Sequence, residues 1–207
     1  GMHTNVSLWK NDQNTFFDES SDLELSQTGR YFCGGIMSHA KALTAITNPT
    51  TNSYHRLVPG YEAPVYIAWS SSNRSATIRI PAHFKGEKYA FMKRIEYRVP
   101  DPASNPYLVF SAVLAAGLDG IKKKLEPGDP VQEDIYKMSR TERKKRGIDT
   151  LPANLGRALD ELESDRKFLS PIFSTPVLDK IIDLERRDQR EISIRPHPHE
   201  FYLYFDV

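Results

Sequence analysis

The segment from Asn48 to Pro81 constrains the fold of this chain more than any other. It reads NPTTNSYHRLVPGYEAPVYIAWSSSNRSATIRIP, and Pro49, Pro59 and Pro64 interrupt it before the closing proline. Because proline has a fixed φ and no backbone N–H, we predict that the middle part, RLVPGYEAP, is a rigid loop. The following ATIRIP alternates apolar and polar residues, which predicts a half-buried strand that ends at Pro81.

Fixed charges are concentrated in this segment and just after it. They lie on predicted strands and rigid loops: Arg56, Glu62, Arg74, Arg79, Arg94, Glu96 and Arg98. Phosphoryl transfer uses such a set, because its catalysis consists mainly of positioning and of neutralising charge on oxygen. Each of the first four is, by itself, more typical of an exposed surface residue than of a ligand. The concentration of charge therefore indicates a site for a small anion.

A second charged pattern lies on the predicted strand KRIEYRVP. With a period of two residues, Arg94, Glu96 and Arg98 share one face, and the apolar residues between them share the other. Guanidinium forks match phosphate and carboxylate oxygens, and a carboxylate is a hard ligand for Mg²⁺, so this face can bind a phosphate and a divalent cation together. The alternative is a solvated strand face carrying a charge ladder. The spacing alone leaves both interpretations open.

Most of the remaining chain is predicted to be helical. Ser26 is the predicted N-cap of a helix over residues 26–47, in which the pair Gly34-Gly35 allows close packing. Pro106 suits the first position of a helix over 106–125. The other predictions are a strand at 3–9, a turn at Asn11-Asp12, a strand near 15–17, a hairpin connection or flap over 82–92 centred on Gly86, charged helices at 133–146, 154–167 and 176–190, and an aromatic strand or strap at 197–207.

Composition narrows the class of protein. The 207 residues carry a net charge of +1, so no overall field attracts nucleic acid or a membrane. The single cysteine, Cys33, rules out an internal disulfide framework, and no apolar run approaches the roughly 20 residues of a membrane span. The N-terminus lacks the pattern of a signal peptide. We expect a cytoplasmic protein without a nucleic-acid or membrane partner.

Two isolated features are more typical of surface residues than of sites. The basic run RTERKKRG at residues 140–147 contains Glu142 and no interleaved aromatic residue, which favours a solvated helix face over a nucleic-acid patch. His3, close to the N-terminus, is by position more typical of an exposed side chain than of a ligand.

These motifs together resemble glutamine synthetase of the prokaryotic type, over essentially the whole chain. The proline-rich segment is similar to that family's glutamate loop and arginine-bearing strand. KRIEYRVPDPASNPYLVFSAVLAAGLDGIKKK is similar to its metal and substrate strand with the following helix. GMHTNVSLWK resembles the end of the signature NGSGMHxHxSL, and RPHPHEFYLYFDV resembles the C-terminal strap.

The resemblance implies ATP-dependent joining of ammonia to the side-chain carboxylate of L-glutamate through a γ-glutamyl phosphate, with Mg²⁺ or Mn²⁺ as cofactor. It implies a role for each matching residue: His3 and Glu96 as metal ligands, Arg56 and Arg98 on glutamate, Glu62 shielding the intermediate and helping to deprotonate ammonium, Arg74 and Arg79 on the transferred phosphoryl group, and Ser7, Arg79 and Arg94 at the nucleotide.

The implied fold class is α+β: part of a catalytic domain, with a curved antiparallel sheet packed by long helices and followed by a helical C-terminal region. We expect residues 1–130 to carry the active-site residues and 131–207 to form the helical region and strap. Asn5 and His55 depart from the family pattern. Tyr136 aligns with a tyrosine that some relatives adenylylate, but its context DIYKMS lacks the usual following residues.

The family's proteins are longer than this chain and carry further glutamate metal ligands upstream. We therefore expect the chain to need the missing N-terminal half for a full site, to be inactive in isolation, and to form a homo-oligomer through its exposed sheet edge. Two alternatives stay open: a glutamate–amine (polyamine) ligase of the same fold, and a non-catalytic assembly or interaction module.

Overall fold

The fold is built around a mixed sheet. The computed structural model describes residues 1–59, 63–82 and 84–206, and every structural statement concerns these residues. The strands are β1 (Thr4–Val6), β2 (Trp9–Lys10), β3 (Gln13–Asn14), β4 (Tyr66–Ser70), β5 (Ala76–Arg79), β6 (Ile95–Tyr97) and β7 (Asp149–Thr150). In the described residues the main sheet has five strands in the order β1-β6-β5-β4-β7, and β2 and β3 form a separate hairpin.

The register of the sheet places polar residues in one row. Strand β6 pairs antiparallel with β1 and β5, so Glu96 stands between Asn5 and Arg79. Arg79 is in turn the partner of Ser70 on β4. The β4–β5 pair is parallel, which corrects the expectation of a purely antiparallel sheet, although the α+β class is confirmed. This row carries two charged side chains of the candidate site, Glu96 and Arg79.

Most of the rest of the chain is helical. The helices are α1 (Gln27–Ser38), α2 (Ala40–Thr47), α3 (Ser53–Arg56), α4 (Pro106–Lys123), α5 (Arg140–Lys145), α6 (Leu155–Ser164), α7 (Thr175–Ser193) and α8 (Pro198–Tyr204). Short 3-10 helices lie at Asp22–Glu24, Glu87–Met92, Ile135–Lys137 and Lys167–Leu169. Among the described residues, no helix combines the length and apolar character needed to cross a bilayer.

The core lies between the sheet and α1, α2 and α4. Ile95, Tyr97 and Val99 are completely buried, as the period of two residues predicts for the apolar face of β6. Helices α1 and α4 cross at Gly35 and Gly120, where their backbones touch. The close packing that the glycine pair predicts is therefore confirmed.

Predictions that rest on local chemistry are confirmed. The Ser26 side chain accepts a hydrogen bond from the Gly29 N–H at 3.1 Å and caps α1, and Pro106 begins α4. Asn11 and Asp12 form the predicted turn, with φ of 48° and 60°.

Several element predictions are wrong in form. The helix over 26–47 breaks at His39, whose φ of −101° and ψ of 7° end α1 and start α2. The strand near 15–17 does not form among the described residues, where Phe17 makes only an isolated bridge with Leu25, and the helix over 133–146 is reduced to the 3-10 helix Ile135–Lys137 and α5. Within the hairpin connection or flap expected over 82–92, residues Glu87–Met92 form a 3-10 helix. The tail forms α8, because Pro198 occupies the first turn and a capping box joins His197 and Glu200.

Candidate active site

Glu96 lies at the centre of the candidate active site. Its Oε1 is 2.7 Å from His3 Nδ1, and its Oε2 accepts a hydrogen bond from Arg79 Nε at 2.5 Å. The Glu96 side chain is only 5% exposed. A buried carboxylate needs such partners, because desolvation of an isolated charge costs several kcal/mol. The interpretation as a solvated charge ladder is therefore wrong for this strand.

Arg98 is buried two residues further along the same face. One of its Nη atoms donates to the carbonyls of Arg74 and Ala76, and its backbone N–H bonds the Thr77 carbonyl at 2.9 Å. Its Nε is buried and has no hydrogen-bond partner in the described part of the chain. Burial, with a smaller contribution from nearby Arg79, lowers the pKa of Arg98. An unpaired buried donor of this kind is suited to an anionic ligand.

Arg56 binds the backbone that follows β6. Its two Nη atoms donate to the carbonyls of Val99, at 2.8 Å, and Arg98, at 3.0 Å. The buried Asn48 side chain donates to the same Val99 carbonyl at 3.1 Å. Arg56 and Asn48 together fix the backbone that follows β6. Sequence reasoning missed Asn48, although a polar residue between an apolar helix and Pro49 is a signal of such a contact.

Two of the three residues expected at the nucleotide, Ser7 and Arg94, lie beside strand β1. Ser7 Oγ accepts a hydrogen bond from Trp9 Nε1 at 3.0 Å. Arg94 Nε donates to Asn5 Oδ1 at 3.1 Å, which fixes this guanidinium beside the N-terminal strand. Asn5, one of the two residues that depart from the family pattern, thus binds a candidate site residue.

Not all expected site residues join this cluster. The structure brings together His3, Arg56, Arg79, Glu96 and Arg98 around β1, β5 and β6. Arg74 lies in the turn before β5 with an exposed side chain, and its backbone carbonyl supports Arg98. Glu62 lies outside the described residues.

His3 and Glu96 fit part of a metal site. Burial, with smaller contributions from Arg98 and Arg56, lowers the pKa of His3 more than its contact with Glu96 raises it. The imidazole is therefore neutral at neutral pH, as metal binding requires. Within residues 1–59, 63–82 and 84–206, no group of three or more His, Cys, Asp or Glu side chains forms a complete site. These two residues supply one nitrogen and one carboxylate toward a larger set.

Comparisons with known proteins agree on one family. The family model described as glutamine synthetase, catalytic domain, matches residues 1–204. The glutamine synthetase of Sulfolobus acidocaldarius is 56% identical over 208 residues, which cover 100% of this chain and 44% of that protein. The glutamine synthetase of Streptomyces coelicolor is 48% identical over 210 residues and is covered to 44%.

Solved structures give the same result. A structure of a GmaS/ADP complex superposes with a TM-score of 0.84 and 34% identity, covering 99% of this chain and 46% of that one. GmaS without ligand gives a TM-score of 0.81 at 34% identity. The chain thus spans less than half the length of the proteins it resembles.

Proposed function

Because this chain belongs to the glutamine synthetase catalytic-domain family, we propose that it forms the C-terminal part of a ligase that joins ammonia to L-glutamate at the expense of ATP. The observation that carries the proposal is the buried cluster around Glu96. There, Arg79 and His3 hold the two carboxylate oxygens, and the buried Arg98 Nε has no hydrogen-bond partner among the described residues.

The cations of this cluster suit two anionic partners. In the proposed reaction Arg98 and Arg56 hold glutamate, and the Nε–H of Arg98, which has no partner among the described residues, would donate to its carboxylate. Arg79, with Arg74, stabilises the charge on the transferred phosphoryl group, whose oxygens carry the negative charge in the transition state. Ser7 and Arg94 lie at the nucleotide.

A divalent cation completes this scheme. His3 and Glu96 would hold Mg²⁺ or Mn²⁺, with further ligands from residues outside this chain. When bound, the cation would neutralise phosphate oxygens and so assist formation of γ-glutamyl phosphate. The role of Glu62, which shields the intermediate and takes a proton from ammonium, rests on the resemblance alone.

Activity requires more than this chain. The matched relatives are more than twice as long, and the metal ligands found here make an incomplete set. We propose that the rest of the catalytic domain supplies the other ligands, that the chain alone is inactive, and that the working enzyme is a homo-oligomer.

A chimera tests this proposal directly. This chain would replace the matching 44% of the Sulfolobus acidocaldarius glutamine synthetase. We expect the chimera to form glutamine from glutamate, ammonia and ATP with Mg²⁺ or Mn²⁺, measured as phosphate release and amide product. A folded, assembled chimera that forms no product would overturn the proposal.

Variants of the chimera identify the residues responsible. Glu96→Gln removes the carboxylate charge between His3 and Arg79, and we expect kcat/KM to fall by about a hundredfold or more. Arg190→Ala, an exposed cation on α7, is the matched control and should keep the parental rate. Equal rates for Glu96→Gln and the control would contradict the assigned role.

A different amine is the second candidate acceptor. Its basis is that the arginines assigned to glutamate, Arg56 and Arg98, would serve a ligase with either acceptor. Ammonia is favoured because identity reaches 56% with a glutamine synthetase. Assays of the chimera with ammonia, alkylamines and polyamines separate the two, since the true acceptor gives the highest kcat/KM.

A further inference from the structure

We propose that a basic cleft between α5 and β7 is a binding site for a small multivalent anion of the oligophosphate class. The cleft has a volume of about 610 Å³. Its lining consists of Arg140, Arg143, Lys144, Gly147, Ile148, Asp149 and Thr150. Strand β7 is the edge of the main sheet opposite β1, so the cleft lies on the far side of the sheet from the candidate active site.

The three cations of the cleft are held on one face of a capped helix. Positions 140, 143 and 144 are three and four residues apart, a spacing that brings side chains to the same side of α5. Ser139 and Glu142 form a capping box at its first turn. The Ile148 N–H bonds the Arg143 carbonyl at 2.9 Å, which turns the chain back toward β7.

Arg143 is anchored more firmly than an ordinary surface arginine. Its guanidinium carbon lies 5.0 Å from the centre of the Tyr66 ring, and one Nη donates to the Met138 carbonyl. Such anchoring removes side-chain freedom before a ligand arrives, which reduces the entropic cost of binding.

The cleft carries an excess of positive charge. In the described part of the chain, Arg140, Arg143 and Lys144 form no ion pair. The carboxylate in the lining, Asp149, is already paired with Lys41 at 2.6 Å. Glu142 is engaged in the capping box through the Ser139 N–H, at 2.7 Å.

Charge and size together define the ligand class. Two guanidinium groups and an ammonium match the oxygens of linked phosphates, and the volume lies within the range of small-molecule sites, about 300–1,000 Å³. A single exposed ion pair contributes little, so a monovalent anion should bind weakly and a multivalent one much more tightly. The lining has no exposed aromatic side chain on which a nucleic-acid base would stack.

Calorimetry on the intact chain tests the site, with inorganic tripolyphosphate and orthophosphate as the probes. We expect tripolyphosphate to bind at least about tenfold more tightly than orthophosphate, with an affinity that falls as salt rises. Arg140→Ala/Lys144→Ala should weaken tripolyphosphate binding by at least about tenfold. Both side chains are exposed, so the fold should be unaffected.

Matched variants decide between this site and its alternatives. Lys180→Ala/Arg190→Ala removes the same number of exposed charges on α7 and should leave the affinity unchanged. Arg79→Ala, in the candidate active site, reports instead any tripolyphosphate that binds at the proposed nucleotide site rather than in the cleft. The proposal would be overturned if both double variants weakened tripolyphosphate binding equally, or if only Arg79→Ala weakened it. It would also be overturned if an acidic hexapeptide bound more tightly than tripolyphosphate.

Discussion

His39 lies buried between two carboxylates at the junction of α1 and α2. Its Nδ1 is 2.6 Å from Asp165 Oδ2, its Nε2 is 2.9 Å from Asp119 Oδ2, and its ring stacks on Phe168 with centroids 3.9 Å apart. An ionised carboxylate can only accept hydrogen bonds, so both ring nitrogens donate and the imidazole is protonated. Burial lowers the pKa of His39, but the bonds to Asp165 and Asp119 outweigh it and raise the pKa above 6.5.

This arrangement predicts a pH-dependent loss of stability for His39→Ala. Because the folded pKa is raised, the contribution of His39 is complete below the unfolded pKa of 6.5 and is lost as pH rises through the folded value. At about pH 5.5 we expect the variant to lose about 2 to 3 kcal/mol of unfolding free energy, and less at alkaline pH. Urea unfolding at both pH values measures this difference.

His55→Ala is the control for this prediction, because His55 is exposed. Its unfolding free energy should stay close to that of the parent chain at both pH values. A loss in His39→Ala that is the same at acid and alkaline pH would show that the imidazole acts through packing on Phe168 rather than through its charge.

At the scale of helices and strands, the contact between α1 and α4 depends on the absence of side chains. A Cβ on Gly35 would lie 2.2 Å from the Ala116 carbonyl oxygen and 2.8 Å from Gly120 Cα. These neighbours are backbone atoms, which cannot move aside as the end of a flexible side chain can.

We therefore expect Gly35→Ala to destabilise the chain by about 3 kcal/mol, as overpacking between two rigid helices does. The same substitution at Gly156 in α6 is the control, since its Cβ would meet only side-chain atoms, at 3.4 Å or more. There alanine should be neutral or stabilise by up to about 1 kcal/mol through helix propensity. Urea unfolding of both variants measures the change in unfolding free energy. Equal changes for Gly35→Ala and Gly156→Ala would contradict the close contact between α1 and α4.

At the scale of the whole molecule, apolar surface is concentrated at the C-terminal end. The exposed large apolar side chains there are Ile192, Ile194, Phe201, Tyr202, Leu203, Tyr204 and Phe205. Contiguous exposed apolar surface of this kind marks interaction sites. Strand β1 adds an edge that, among the described residues, pairs only with β6.

These surfaces predict that the chain self-associates. We expect a dimer or larger species in sedimentation equilibrium, and an association constant lowered at least about tenfold by Tyr202→Glu/Phe205→Glu. Ile172→Glu/Val177→Glu, which alters two exposed apolar residues just before and in the first turn of α7, should leave association unchanged. A monomeric parent chain, or equal effects of the two double variants, would contradict this prediction.

The amino-acid sequence by itself determined the local features of this protein. The Ser26 cap, the start of α4 at Pro106 and the two faces of β6 depend on residues a few positions apart, so their patterns could be recognised along the chain. The charged candidate residues could be noticed by their concentration along the chain, whereas their individual roles are expectations from the family resemblance.

Only the tertiary structure decided which of these residues meet. Glu96 contacts His3 across 93 positions and Arg79 across 17, and His39 contacts Asp165 across 126. The tertiary structure also decided three other features. Strands β4 and β5 pair in parallel, Arg56 donates to backbone carbonyls, and Arg98 Nε is buried without a partner in the described residues. Register, desolvation and long-range hydrogen bonding depend on neighbours in space, and a pattern along the chain does not contain those neighbours.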